Sequence, residues 1–389
     1  MDQEPHSLKK AVSLETFVFL ILFFGVFTYI ALVMGFVNAL STFMQTAYRL
    51  LVDTVLFLAA IAVLAGAISG LLAEFGVIAL IDRLLTPLMR PLFGMPGAAS
   101  IGGITTYMSD NPAILALAAD KNYRCYFKKY QVPALTNLGT GFGMGAIITT
   151  FMMGLSTITG QNFLPAALVG NLGAVVGSVI STRIMLRFTK RMYGAQEPAM
   201  DDCGLPLNRN HRIVRKGGLA SRFLEAMLDG GKVGVQMGVD IVPGVIIICT
   251  FVMVLTGGPG AAGQFTGAAY EGVGLLPKVG GALQFLLKPL FGLQSAEGIA
   301  VPITALGSSG ASLSIVSRLV AEGLANPHDV AVFTSMCMCF SGYLSTHVAM
   351  MNTLGFSHLT GKAILSHTIG GLAAGVFAHW TYTLMMMML

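Results

Sequence analysis

Runs of about twenty apolar residues, separated by short stretches rich in Lys, Arg, Gly or Pro, recur along the whole chain. Hydrocarbon offers a backbone no water, so only helices or closed barrels span a bilayer, and runs of this length select helices. The pattern predicts crossings at about 15 to 38, 53 to 74, 132 to 153, 165 to 188, 236 to 256, 329 to 352 and 362 to 385. Two further apolar stretches, about 91 to 118 and 289 to 320, are broken by Gly, Ser, Pro and Asn. They suit helices that break at mid-membrane and return as re-entrant hairpins. The first run is too long for a signal-peptide core and lacks a small-residue cleavage site, so it reads as a retained span.

Composition and charge sharpen this picture. With 54% hydrophobic and 11% charged residues and a mean hydropathy of +0.75, the chain has too little polar surface for a water-soluble globule. The net charge of +5 is spread between apolar runs rather than gathered on one polar domain, which argues against nucleic-acid binding. With the N-terminus in the cytoplasm, every Lys and Arg except Arg49, Lys278, Lys288 and Arg318 falls on the inner side. That bias is what the positive-inside rule requires of a multi-pass inner-membrane protein. The polar stretch from Gly194 to Gly218 becomes a cytoplasmic connector, and residues 219 to 234 read as an amphipathic surface helix.

An internal repeat organises the chain. Pro91-Leu92-Phe93-Gly94 recurs as Pro289-Leu290-Phe291-Gly292, and the same shift pairs Leu115 with Leu313, Phe142 with Phe340, Gly173 with Gly371 and Gly177 with Gly375. Val52-Asp53-Thr54-Val55 resembles Val239-Asp240-Ile241-Val242 at a shorter shift. Each copy holds three crossings and one hairpin, and an odd number of crossings turns the second copy upside down. The predicted fold is therefore an all-α polytopic membrane protein of two inverted repeats. Residues 1–48 form a tail and an extra N-terminal transmembrane helix, 49–193 the first repeat, 194–218 the connector and 219–389 the second repeat.

Candidate chemistry lies at the breaks. In the first hairpin Pro112 removes a backbone donor and disfavours helix at Asn111, beside Ser109 and Asp110. An unwound turn exposes free carbonyls and a helix N-terminus together, which can bind cations and anionic or polar groups respectively. The same four residues could also form an ordinary cap in a cytoplasmic loop. An ionisable group at membrane depth is costly and usually functional, which singles out Asp110. In the second hairpin the aligned residues are Ser308, Ser309 and Gly310, followed by Ser312, a hydroxyl-lined, uncharged break. The crossings after the hairpins add Thr136, Asn137 and Thr140 in one, and Ser335, Ser341, Ser345, Thr346 and His347 in the other. Their glycines and hydroxyls serve helix packing equally well. Asp53, Asp240 and Glu297 suit interfacial caps, and His367 and His379 suit either a proton relay or a bond to a neighbouring carbonyl. The candidate solute-binding set is Thr106, Ser109, Asp110, Asn111, Asn137, Thr140, Ser308, Ser309, Ser312, Ser341 and Thr346, with Asp110 and His347 as candidates for proton or sodium coupling.

Enzyme signatures are missing: there is no GxxxxGK[ST], HExxH or GxSxG. The five cysteines show no CxxC spacing, so neither a zinc site nor a disulfide framework is expected, and no cofactor is implied. The stretches PLFGLQSAEGIAVPITALGSSGASL, TYMSDNPAILALA and LTGKAILSHTIGGLAAGVFAHW resemble the Gate-domain, or nucleoside recognition domain, family of bacterial inner-membrane proteins. The resemblance runs from about Arg49 to the C-terminus. Similar segments occur in concentrative nucleoside transporters and in ferrous-iron transport proteins, and the chain lacks the GTPase domain of the latter. The resemblance implies that the turns at 109 to 112 and 308 to 312 line a central site for a nucleoside-like or other small polar solute. The reading is of a non-enzymatic secondary transporter in the bilayer, compatible with a homo-oligomer. A non-transporting membrane scaffold or sensor and a passive channel are the alternatives.

Overall fold

The computed structural model describes residues 10–119, 121–200, 214–240, 242–260 and 263–388. Among these the chain is helical, and the only extended pairing is an isolated antiparallel bridge between Lys128 and Pro198. The central part of the connector, 201–213, lies outside the described residues.

The first helix, α1 (Leu14–Met34), carries large apolar side chains on almost every face, with Leu32 80% exposed. A helix this apolar all round belongs in lipid. Gly35 ends it at φ 80. The next rod then runs from α2 (Phe36–Arg49) through a π-helical turn, Leu50–Val55, into α3 (Leu56–Glu74). The expected crossing at 53 to 74 is thus the second half of a longer helix. At Phe75–Gly76 the chain bends by 72° into α4 (Val77–Leu88).

The remaining helices of the first half are α5 (Ala99–Met108), α6 (Pro112–Ala119), α7 (Lys121–Arg124), α8 (Val132–Thr140), α9 (Gly145–Gly154), α10 (Ser156–Thr159) and α11 (Leu164–Tyr193). After the connector come α12 (Leu219–Asp240), a π-helical turn at Gly244–Cys249, α13 (Thr250–Thr256), α14 (Leu275–Ala282), α15 (Gln284–Phe291), α16 (Ala300–Gly307), α17 (Ser309–Ala321), α18 (Pro327–Phe340), α19 (Tyr343–Thr353) and α20 (Thr360–Met388). The expected surface helix at 219 to 234 and the start of the crossing at 236 are one continuous helix, α12. Its glycines explain the continuity. Ala226, Gly230, Gly234 and Gly238 face Ala59, Ala62, Gly66 and Gly70 of α3 so closely that a Cβ on Gly66 would fall 2.3 Å from the Gly230 carbonyl oxygen. This small-residue seam brings backbone against backbone and offsets the low helix propensity of glycine.

At the end of that seam Glu74, 3% exposed, accepts from Arg215 Nη1 at 2.8 Å and Arg222 Nε at 2.7 Å. Arg215 also reaches Asp229 at 3.3 Å. The described end of the connector, 214–218, is thereby tied to the α3–α12 pair through Arg215.

Both broken apolar stretches, 91 to 118 and 289 to 320, are interrupted at the expected polar residues. α5 stops at Met108 and α6 starts at Pro112, while α16 and α17 meet at Ser308. Two of the expected crossings, however, are themselves interrupted. The stretch 132 to 153 divides into α8 and α9 at Gly141–Met144, and 329 to 352 divides into α18 and α19 at Ser341–Gly342. Met144 at φ 53 and Gly342 at φ 65 hold corresponding left-handed positions at the starts of α9 and α19. Thr106 and Thr304, also equivalent, each return a hydroxyl to the carbonyl one turn back, at 2.8 Å.

By length and composition, Leu14–Met34, Lys129–Thr159 and Leu164–Tyr193 can each cross a bilayer, and α3–α4 adds a fourth if counted as one bent span. α11, α18 and α20 pack through small residues, with Gly177 against Gly370 and Ala374. Cys249, Cys337 and Cys339 are free and buried, whereas Cys125 is disulfide-bonded. Spacing along the chain gave no sign of that bridge, because such a bond depends on a contact made only by the fold.

Candidate functional site

The four breaks meet in one place. Asn111, 3% exposed at the turn of the first hairpin, donates from Nδ2 to the Ser341 carbonyl at 2.7 Å and lies 3.5 Å from Thr346 Oγ1. The Ser341 hydroxyl lies 3.5 Å from Asp110 Oδ1. Gly143, in the α8–α9 break, closes this contact: a Cβ there would fall 2.4 Å from Ser341 Oγ and 2.7 Å from Asn111 Oδ1. On the other side, the Gly342 amide donates to the Ala305 carbonyl at 2.9 Å, beside the Gly307 carbonyl that ends α16. Backbone groups freed by unwinding are satisfied across helices, which is how irregular backbone is tolerated at membrane depth.

Several buried polar atoms are left over. Among the described residues, Asn111 Oδ1, Thr136 Oγ1, Asn137 Oδ1, Thr140 Oγ1 and His347 Nε2 have no hydrogen-bond partner. Orphans of this kind are costly unless something supplies the missing bond. Of these, Asn111 Oδ1 lies at the junction itself and the Thr140 hydroxyl adjoins the α8–α9 break, both able to accept from a polar solute or meet a hard cation. No group of three or more His, Cys, Asp or Glu among the described residues could hold a metal ion.

The predicted residues divide into those around the junction and those beside it. Asp110, Asn111, Ser341 and Thr346 come together directly, and Ser109 is half-buried at the same turn. Ser308 caps α17, accepting from the Ala311 amide at 3.2 Å. Ser309 donates to the Cys337 carbonyl, and Ser312 bonds the Ser309 carbonyl at 2.7 Å and Cys337 Sγ at 3.0 Å, so both hydroxyls tie the second hairpin to α18. Thr106 is fully buried on its own helix, and Thr140 is fully buried next to the α8–α9 break. Asn137 donates to Ser181 Oγ and to the Ala363 carbonyl, each at 2.9 Å, locking α8 to α11 and α20.

His347 is fully buried, bonds the Tyr343 carbonyl through Nδ1 at 2.9 Å, and has its ring centroid 4.7 Å from that of His367 at a tilt of 48°. His367 bonds Ser181 at 3.0 Å and the Cys339 carbonyl, the second of its two sequence readings. His379 pairs with His328 at 2.7 Å, remote from this junction in the first turn of α18. Asp53 is exposed and pairs with Arg49 at 3.6 Å. Gly143 is one of the α8–α9 glycines whose sequence reading was close backbone approach, whereas Ser181 and Tyr343 were not singled out by sequence reasoning. Two ordinary helix residues carry no signal until the neighbouring helices are in place.

No protein-family model matches the chain, and no curated protein matches it. Solved structures do. The protein titled CNTnw, a concentrative nucleoside transporter, in an inward-facing substrate-bound state superposes with a TM-score of 0.51 at 14% identity, covering 94% of this chain and 83% of that one. Two variants of CNTnw in outward-facing states superpose with TM-scores of 0.50 and 0.51 at 13% identity, over the same shares. The chain therefore has the fold of a concentrative nucleoside transporter, an all-helical membrane-protein fold.

Proposed function

We propose that this protein is a secondary transporter that binds a small polar, nucleoside-like solute between the α5–α6 and α16–α17 turns and couples its movement to protons or sodium. The observation that carries this reading is the convergence of four helix breaks around Asn111, whose buried Oδ1 lacks a partner. The fold supports it, since the structural neighbours are titled as substrate-bound, inward-facing and outward-facing states of one transporter. In this reading the two halves are inverted repeats of three crossings and one hairpin, beside the extra helix α1. The N-terminus lies in the cytoplasm and the protein in the inner membrane. Ser109, Asp110, Asn111, Ser341 and Thr346 form the solute contact, with Ser308 and Ser309 at its far side, and Asp110 and His347 serve the ion.

Proteoliposomes loaded with labelled nucleosides, nucleobases or unrelated polar solutes, under an imposed sodium or proton gradient, test it. Accumulation of one solute class against its own gradient is expected. Equilibration without accumulation indicates a passive channel, and no flux of any solute under either gradient overturns the proposal in favour of a scaffold. Within a working assay, Asp110→Asn is expected to abolish the gradient dependence while leaving solute exchange.

A further inference from the structure

An apolar hollow adjoins the lipid side of the first turn, where α4, its π-helical extension Met89–Phe93, α5, α8 and α11 surround a cavity of about 410 Å³. Its lining is almost wholly apolar, from Ile104 and Tyr107 on α5 to Leu138 on α8 and Val175 on α11. Water fills a cavity only where two to four polar partners hold it, and an empty apolar space of this size carries a heavy cost in lost contacts. The hollow is half open, and its rim side chains Leu88, Leu92 and Leu172 are exposed, so in a bilayer it faces hydrocarbon.

One end of the hollow is basic. Arg183 bonds the carbonyls of Leu92 and Pro91, which close the extension, and α11 continues with Arg187, Lys190 and Arg191 and carries no acidic residue. Arg83 and Arg90 are exposed on the facing segment. Basic residues at the edge of an intramembrane crevice are the arrangement that holds anionic lipid headgroups.

We infer that this cavity is a binding site for one acyl chain of an anionic phospholipid, whose headgroup rests on the basic residues at its end, Arg90, Arg183 and Arg187. The chain's inner end would meet Tyr107, two residues before the first-hairpin turn, whose hydroxyl bonds Thr149 at 3.1 Å. An occupant would thus brace the hairpin from its lipid side.

Photolabelling tests the site directly. Phosphatidylglycerol with a diazirine near the end of one acyl chain is added to the full-length protein in phosphatidylcholine vesicles, and the adducts are mapped by mass spectrometry. Adducts are expected on residues 99–108, 138–142 and 172–175. Gly103→Leu fills the hollow, because a Cβ there meets only Phe142 and Leu138 at ordinary distances of 3.5 Å and 3.6 Å; it should reduce these adducts at least tenfold. Val175→Phe, entering from α11, should do the same if Gly103→Leu does not fold. Arg90→Gln with Arg187→Gln should bring labelling down to that of phosphatidylcholine carrying the same probe. Equal labelling of wild type and both filling variants, or adducts scattered over α1 and α20, overturns the site. Labelling by a diazirine fatty acid or by phosphatidylcholine as strong as by phosphatidylglycerol overturns the anionic-phospholipid assignment.

Discussion

At the scale of single residues, the polar junction depends on atoms with no tolerance for added bulk. Gly143→Ala places a methyl group within 2.4 Å of Ser341 Oγ and 2.7 Å of Asn111 Oδ1. Overpacking of this sort costs about 1–3 kcal/mol, and here it would push apart the two broken helices. The expected outcome is a folded protein with a lowered melting temperature and solute uptake reduced at least tenfold. Asn111→Ala acts differently. It deletes the donor to the Ser341 carbonyl, and an unsatisfied buried acceptor costs about 1–3 kcal/mol. Uptake should fall while Asn111→Asp, which keeps the shape but not the donor, should be equally impaired; equal uptake by wild type and Asn111→Asp would show that the donor is dispensable.

At the scale of elements, the α3–α12 seam packs backbone against backbone, because glycine and alanine let the two helices touch along four successive turns. Gly230→Leu cannot be relieved by a rotamer change, since the neighbours are the Gly66 carbonyl and the Ala67 Cα. It is expected to prevent stable assembly, read as loss of the monodisperse species in size-exclusion chromatography, whereas Gly231→Leu, with only Val63 at 3.6 Å, should be tolerated. The clamp at the end of the seam responds to acid. Lys232, and after it Arg215, hold the Asp229 carboxyl below its ordinary value of 3.8. A carboxyl whose folded value is depressed stabilises the fold above its unfolded value and loses that contribution as pH falls through the folded one. Proteolysis of the connector should therefore accelerate only below about pH 4, and Glu74→Gln should raise it already at neutral pH by releasing two guanidinium groups.

At the scale of the whole molecule, the proposed topology makes opposite sides accessible to different residues. With a background in which the native cysteines are replaced, a membrane-impermeant thiol reagent should label Lys190→Cys only in inside-out vesicles and Lys278→Cys only in right-side-out ones. Labelling of both from one side would contradict the inverted arrangement.

Helical class, membrane residence and the two hairpin breaks were legible in the amino-acid sequence, because they follow from local rules. Long apolar runs must hide their own backbone, Pro112 opens a new helix at a first-turn position while disfavouring helix at Asn111, and Ser308 offers an N-cap to the helix after it. The interruptions at Gly141–Met144 and Ser341–Gly342 were not, since glycine-rich polar helix and broken helix share one composition and only a neighbour that bonds the freed amide, as Ala305 does for Gly342, decides between them. Nor could the chain by itself separate Asn111, which reaches across to another break, from Asn137, which bonds Ser181 and Ala363 among its packed neighbours. Side-chain type is a property of position along the chain, but which polar atoms remain without a partner is a property of three-dimensional neighbours, and only tertiary structure supplies those.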